Sequence, residues 1–113
     1  MSDTAKRDEI PPGTLYMLIL KMLARNSRMH GYEIANAIQQ ITLDVLQVEE
    51  GSLYPALQRM LLKGWVKAAW GVTAGNRRAR YYQLTADGRK RLSAEVDQYE
   101  RVSGAIQKIL QMA

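Results

Sequence analysis

The chain contains no cysteine. This excludes disulfides and thiolate metal sites, and it fits a reducing compartment. It has a single histidine, His30, with no second histidine and no tight carboxylate cluster near it in sequence. Metal ligation or general-base work at His30 would lack partners, so a cap at the start of a helix is the expected role. No segment offers a nucleophile beside a base or a loop that cradles phosphate. An enzyme is therefore not expected, and no cofactor is implied. Long apolar runs are also missing. The longest, LYMLILKMLA, contains Lys21 and is far shorter than the ~20 residues of a membrane span, so a buried helix is its expected form. The opening MSDTAKRDEI is polar, mixed in charge and unlike a targeting signal. A soluble cytoplasmic protein is expected, with no membrane association and a flexible tail over residues 1–11.

What is present points to one small folded domain. The length of 113 residues suits a single domain, and 47% hydrophobic against 24% charged residues favours folding over disorder. A chain this small gains from a partner that covers more of its apolar surface. Sixteen lysines and arginines against eleven acidic residues give a formal charge of +5. That balance suits nucleic acid or another anionic surface.

The breaker cluster Pro11-Pro12-Gly13-Thr14 precedes a strongly apolar pattern from Leu15 to Ala24, with Thr14 as the expected N-cap of a first helix. ARNSRMHG reads as a turn. Gly31 to Ile41 reads as a second helix, with Ile34, Ala35, Ile38 and Ile41 on one side. Thr42 to Val48 reads as a loop ending in a short strand. In EEGSLYPALQRMLLKGW, residues Leu53, Ala56, Leu57, Met60 and Leu61 share one helical face, and Gly64 ends the helix. WVKAAW and RRARYYQL then read as two strands of a hairpin joined by GVTAGN, where Gly75-Asn76 can supply positive φ. Thr85 is a fitting N-cap for a last helix towards Met112. Three helices, a hairpin and a long helix outline a winged helix-turn-helix: mainly α, with a small β-hairpin wing. The expected division is a binding domain over 12–84 and a dimerisation helix over 85–113.

The outward face of the third helix carries the candidate readers. With Ser52 as N-cap, Pro55 would fall in the first turn, where its missing N–H is harmless. Tyr54 suits a phosphate, Pro55 a thymine methyl, Gln58 adenine, and Arg59 guanine or phosphate. The bland alternative is a solvated helix face. Arg77 and Arg78 suit phosphate contact from the wing. Arg80 is open between that role and an ion pair with Glu49 or Glu50. Tyr32 is open between phosphate contact and the core. Lys63 completes the basic set, Trp65 and Trp70 are expected to pack at the root of the wing, and GRKR at Gly88 to Arg91 reads as solvated charge or backbone contact. Along the last helix Leu92, Val96, Tyr99, Ser103, Ile106 and Leu110 alternate at spacings of four and three, widened by Val102 and Ile109. A stripe of this kind suits a symmetric partner helix better than the chain's own small domain.

HGYEIA, VEEGSLYPAL, GW and NRRARYYQLTADGRKRL, in this order and spacing, resemble the PadR family of bacterial transcriptional regulators. The resemblance runs from about Gly13 to the end. It implies a homodimeric winged-helix protein, usually a repressor acting on a double-stranded operator, in the short form with a single C-terminal dimerisation helix. Small-molecule effectors occur among its members, but no effector follows for this chain. A winged helix that binds protein rather than specific DNA is the competing expectation.

Overall fold

The computed structural model describes residues 8–11 and 13–113. The element order is β1 (Asp8–Glu9), α1 (Leu15–Arg25), β2 (Met29–His30), α2 (Gly31–Ile41), β3 (Leu46–Gln47), α3 (Glu50–Leu62), β4 (Val66–Val72), β5 (Arg78–Leu84) and α4 (Ala86–Leu110). One hydrophobic core holds the domain together. It takes Ile19, Leu20 and Leu23 from α1, Ile34 and Ile38 from α2, Leu53, Ala56, Leu57 and Met60 from α3, and Val66, Tyr82 and Leu84 from the hairpin. Burial at helical spacing in three short helices is what gives each its place, since none is long enough to be stable alone.

The expected tail over 1–11 lies mostly outside the described residues. At its end, Asp8 and Glu9 pair in parallel with Leu46 and Gln47. Thr14 stands at the N-cap of α1 but does not cap through its side chain. Its hydroxyl instead donates back to the Pro11 carbonyl at 2.7 Å. His30 caps α2 as expected. Its Nδ1 accepts from the Glu33 N–H at 3.4 Å, and the Glu33 carboxylate accepts from the His30 N–H at 3.0 Å. This reciprocal capping box satisfies two otherwise free donors. Ile41, expected on the buried side of α2, is exposed at the helix end. The turn after it carries Leu43 and Asp44 at positive φ. Thr42 stabilises that turn by donating to the Ile38 carbonyl at 2.9 Å and accepting from the Leu46 N–H at 3.1 Å.

The start of α3 corrects the sequence reading. Glu49, not Ser52, is the N-cap, because its carbonyl accepts from the N–H groups of both Ser52 and Leu53, at 3.0 and 2.9 Å. Glu50 then places negative charge in the first turn, where the helix dipole favours it. Pro55 therefore lies beyond the first turn, inside the helix. The carbonyl it leaves without a donor belongs to Gly51, which is exposed, so solvent can serve it.

In the hairpin β4 and β5 run antiparallel, Val66 opposite Leu84 and Val72 opposite Arg78. The sequence reading missed the third strand. β2 pairs antiparallel with β5, Met29 opposite Tyr82 and His30 opposite Tyr81, and is too short to show a period of two. At the hairpin tip Asn76 alone takes the positive φ; Gly75 does not. Trp65 is half-buried at the wing root as expected, whereas Trp70 is 61% exposed, a correction to its expected packing role. The alternation puts Val66 inward, and the outer part of the hairpin extends past the core, so Trp70 lies outside it.

Thr85 caps α4 by accepting from the Gly88 N–H at 3.0 Å. Leu92 and Val96 are half-buried, while Tyr99, Val102, Ile106, Ile109 and Leu110 are exposed, the last two by 68% and 70%. The distal half of α4 therefore projects beyond the domain, in a molecule 55 Å along its longest axis.

Candidate nucleic-acid interface

The third helix buries Leu53, Ala56, Leu57 and Met60, and this fixes what it turns outward. Tyr54, Pro55, Gln58, Arg59 and Leu62 are all exposed. They do not form one undivided surface. Pro55 and Gln58 occupy the crest. Tyr54 leans towards the start of α2, with its ring so close over Gly31 that a Cβ there would meet Cε1 at 2.8 Å and the hydroxyl at 2.9 Å. Arg59 leans the other way, and its Nη1 donates to the Tyr16 hydroxyl of α1 at 3.5 Å. Lys63, at the C-cap, sits over the Trp65 ring at 5.3 Å. Ser52 faces a separate hollow with Ile10, Gln47 and Val48.

The wing completes a cleft on the Tyr54 side. Tyr32, Tyr54, Arg77, Arg78 and Arg80 line it, together with His30 and Trp70, in a volume of about 940 Å³. Five of the residues singled out from sequence thus converge from α2, α3 and the hairpin, although they run from position 32 to position 80 of the chain. All three arginines are exposed. Among the described residues, Arg91 pairs with Glu95 at 2.7 Å and the His30 ring lies 3.6 Å from the Glu33 carboxylate, and no ion pair involves Arg59, Arg77, Arg78 or Arg80. The alternative in which Arg80 pairs with Glu49 or Glu50 does not occur. Arg78 instead stacks over Trp70 at 4.7 Å, which keeps its charge available and fixes its direction. Beneath the cleft, burial pushes the Tyr82 hydroxyl above its ordinary value of 10.0; the Arg80 charge opposes that shift and Tyr54 adds to it.

Sequence reasoning missed two contributors. Arg28 lies over the Tyr81 ring at 4.3 Å and extends the basic surface behind the wing. Its only sequence signal was a place in a turn already rich in arginine. Trp70 is the stacking platform for Arg78, which the alternating pattern alone placed inward. Among the described residues no cluster of acidic, histidine or cysteine side chains could hold a metal ion, and no helix is long and apolar enough to cross a membrane.

A helix presenting a polar crest, with an arginine-bearing hairpin beside it and a capped helix before it, defines a winged helix-turn-helix protein. The chain belongs to the transcriptional regulator PadR-like family, whose model matches residues 19–94. It is similar to an uncharacterized protein of Lysinibacillus sphaericus, 31% identical over 100 residues, which are 88% of this chain and 91% of that one. Among solved structures it is similar to a transcriptional regulator from Clostridium thermocellum, with a TM-score of 0.80 at 27% identity over 88% of this chain and 95% of the other. It is similar also to a PadR family transcription regulator from Clostridium difficile, with a TM-score of 0.73 at 26% identity over 86% and 98% of the two chains. A PadR-like regulator from Bacillus cereus superposes with a TM-score of 0.76 at 25% identity, covering 89% and 95%.

Proposed function

We propose that the chain is a cytoplasmic, homodimeric repressor of transcription that binds a two-fold-related DNA operator. Residues 12–84 would form the binding domain and 85–113 the dimerisation helix. The observation that carries this reading is the convergence of Tyr32, Tyr54, Arg77, Arg78 and Arg80 on one cleft beside the exposed crest of Pro55 and Gln58. The crest has the shape and chemistry to enter a major groove, with Gln58 offered to an adenine edge. The cleft has the charge to hold the adjoining phosphates. Arg59 and Lys63, on the opposite flank, would reach the backbone on the far side of the groove, and Ser52 would contribute only where the strand passes the front of α3. The exposed Tyr99, Val102, Ile106, Ile109 and Leu110, continuing from Leu92 and Val96, supply the face for the second copy.

Selection of bound duplexes from a random pool, followed by sedimentation of the free protein and its complex, tests the reading. The expected result is a dimer that enriches a palindromic consensus. Equal affinity for every duplex would instead favour a winged helix that binds protein.

A further inference from the structure

At the junction between α3 and α4, one residue joins three elements. The carbonyl of Trp65 accepts from the Thr85 N–H at 3.1 Å. The Thr85 hydroxyl donates to the Gly64 carbonyl at 2.6 Å while it accepts from the Gly88 N–H at 3.0 Å. Gly64, at φ +75°, is the turn that ends α3, and the Trp65 N–H reaches back to the Met60 carbonyl at 3.0 Å. Gly88 is buried against this turn, and a Cβ there would collide with the Trp65 carbonyl oxygen. On the side-chain level, the Trp65 ring meets Tyr16 of α1 edge-on at 6.0 Å and carries Arg91 of α4 over its face at 4.9 Å. One hydroxyl thus caps α4 and ties down the end of α3 at once, in a contact close enough to require glycine.

We propose that Thr85, with Gly88, is a positioning residue for operator readout: it locks the end of the reading helix to the start of the dimerisation helix and so sets which half-site spacing the dimer accepts. This rests on the operator reading above. If α4 pairs with its copy, the separation of the two α3 helices is set through this junction together with the packing of α4 on α1 and of Leu92 on the core. A rigid junction allows one separation and one phase on the duplex. A loose junction lets each binding domain swing. One inserted base pair moves a half-site by ~3.4 Å and turns it by about 35°, so tolerance of that insertion measures the looseness.

The experiment uses the selected two-half-site duplex, the same duplex with one base pair inserted between the half-sites, and a duplex with a single half-site. Thr85→Val keeps the shape but removes both hydroxyl bonds; Thr85→Ser keeps the hydroxyl. The wild type should lose on the order of 100-fold in affinity on insertion, the scale of serious mismatch in a specific site. Thr85→Val should lose about 10-fold or less, with single-half-site affinity and dimer sedimentation unchanged, and Thr85→Ser should behave as the wild type. A folded, dimeric Thr85→Val with the full insertion penalty overturns the proposal. Should that variant fail to fold, Arg91→Gln loosens the same junction from the half-exposed α4 side and is judged by the same penalty, reduced or not. A wild type indifferent to the insertion would remove the operator reading, and the positioning role with it. A discriminating wild type beside an equally discriminating variant removes the positioning role alone.

Discussion

The cleft is built from residues whose contacts can be altered one at a time. Gly31 opens α2 and leaves room for the Tyr54 ring. Gly31→Ala adds helix propensity but pushes that ring aside, and the ring is the far end of a movable side chain. Stability should change by less than ~1 kcal/mol, while DNA affinity should fall by about 3- to 10-fold, as it would for Tyr54→Phe, which loses one hydrogen bond. Urea unfolding and a duplex titration of both variants check this; an unchanged affinity would mean that Tyr54 does not face the DNA. Gln58, on the crest, should act differently. Gln58→Ala should flatten the preference among duplexes more than it reduces overall binding, because an amide reads a base edge. Tyr82 gives a pH dependence with a definite sign. Its folded-state pKa lies above 10.0 through burial. The unfolded chain therefore releases the proton first, and stability that is complete below pH 10 declines as pH rises through that value. Denaturant midpoints measured from pH 8 to 11 should fall more steeply for the wild type than for Tyr82→Phe. At this scale the chain was partly legible: His30 as a cap and Thr85 as a cap follow from local chemistry, whereas the Arg78–Trp70 stack joins residues on different strands.

At the scale of the element, the wing is the most readily tested unit. Arg77 and Arg78 are exposed, and neither forms an ion pair with a carboxylate among the described residues. In a complex each would displace counterions from a phosphate, changing the slope of log K against log salt by ~0.9 per contact. With two copies in a dimer, the double substitution Arg77→Ala, Arg78→Ala should flatten the slope by up to roughly 3.6 if all four contacts form. Specific and random duplexes should weaken alike, because phosphates carry little sequence information. Loss of the Arg78–Trp70 contact should cost only about 0.5–1 kcal/mol of stability at so exposed a site. Parallel salt titrations for wild type and variant would show that the wing does not touch the backbone. The helices and the hairpin were legible because periods of 3.6 and 2 persist over enough residues. The start of α3 was not. Ser52 is as good a cap by residue type as Glu49 is a poor one, and only the hydrogen bonds to the Glu49 carbonyl decide between them.

At the scale of the molecule, the distal half of α4 has no cover from its own domain. Ile106 is 50% and Leu110 is 70% exposed. Replacing both by Asp should therefore leave the monomer folded, since neither residue supports the core, while a seam between two copies would bury unpaired charge. Sedimentation should find a folded monomer whose operator affinity has dropped towards that for a single half-site. A wild type that is already monomeric at micromolar concentration would remove the dimer. The exposure of these side chains favours dissociation over unfolding.

The sequence alone determined the order of the four helices and the hairpin, the burial of α1, most of the buried faces of α2 and α3, and the basic hairpin, because burial periodicity and turn chemistry are local properties of a chain. Its motifs carried the family resemblance that the match over residues 19–94 established. Only the tertiary structure decided that Met29 and His30 add a third strand, that Trp70 stands outside the core, and that Ser52, Arg59 and Lys63 part company with the cleft-facing Tyr54. These depend on which segments meet across long stretches of chain. A strand of two residues shows no period, and the flank of a helix has no direction until its neighbours are in place.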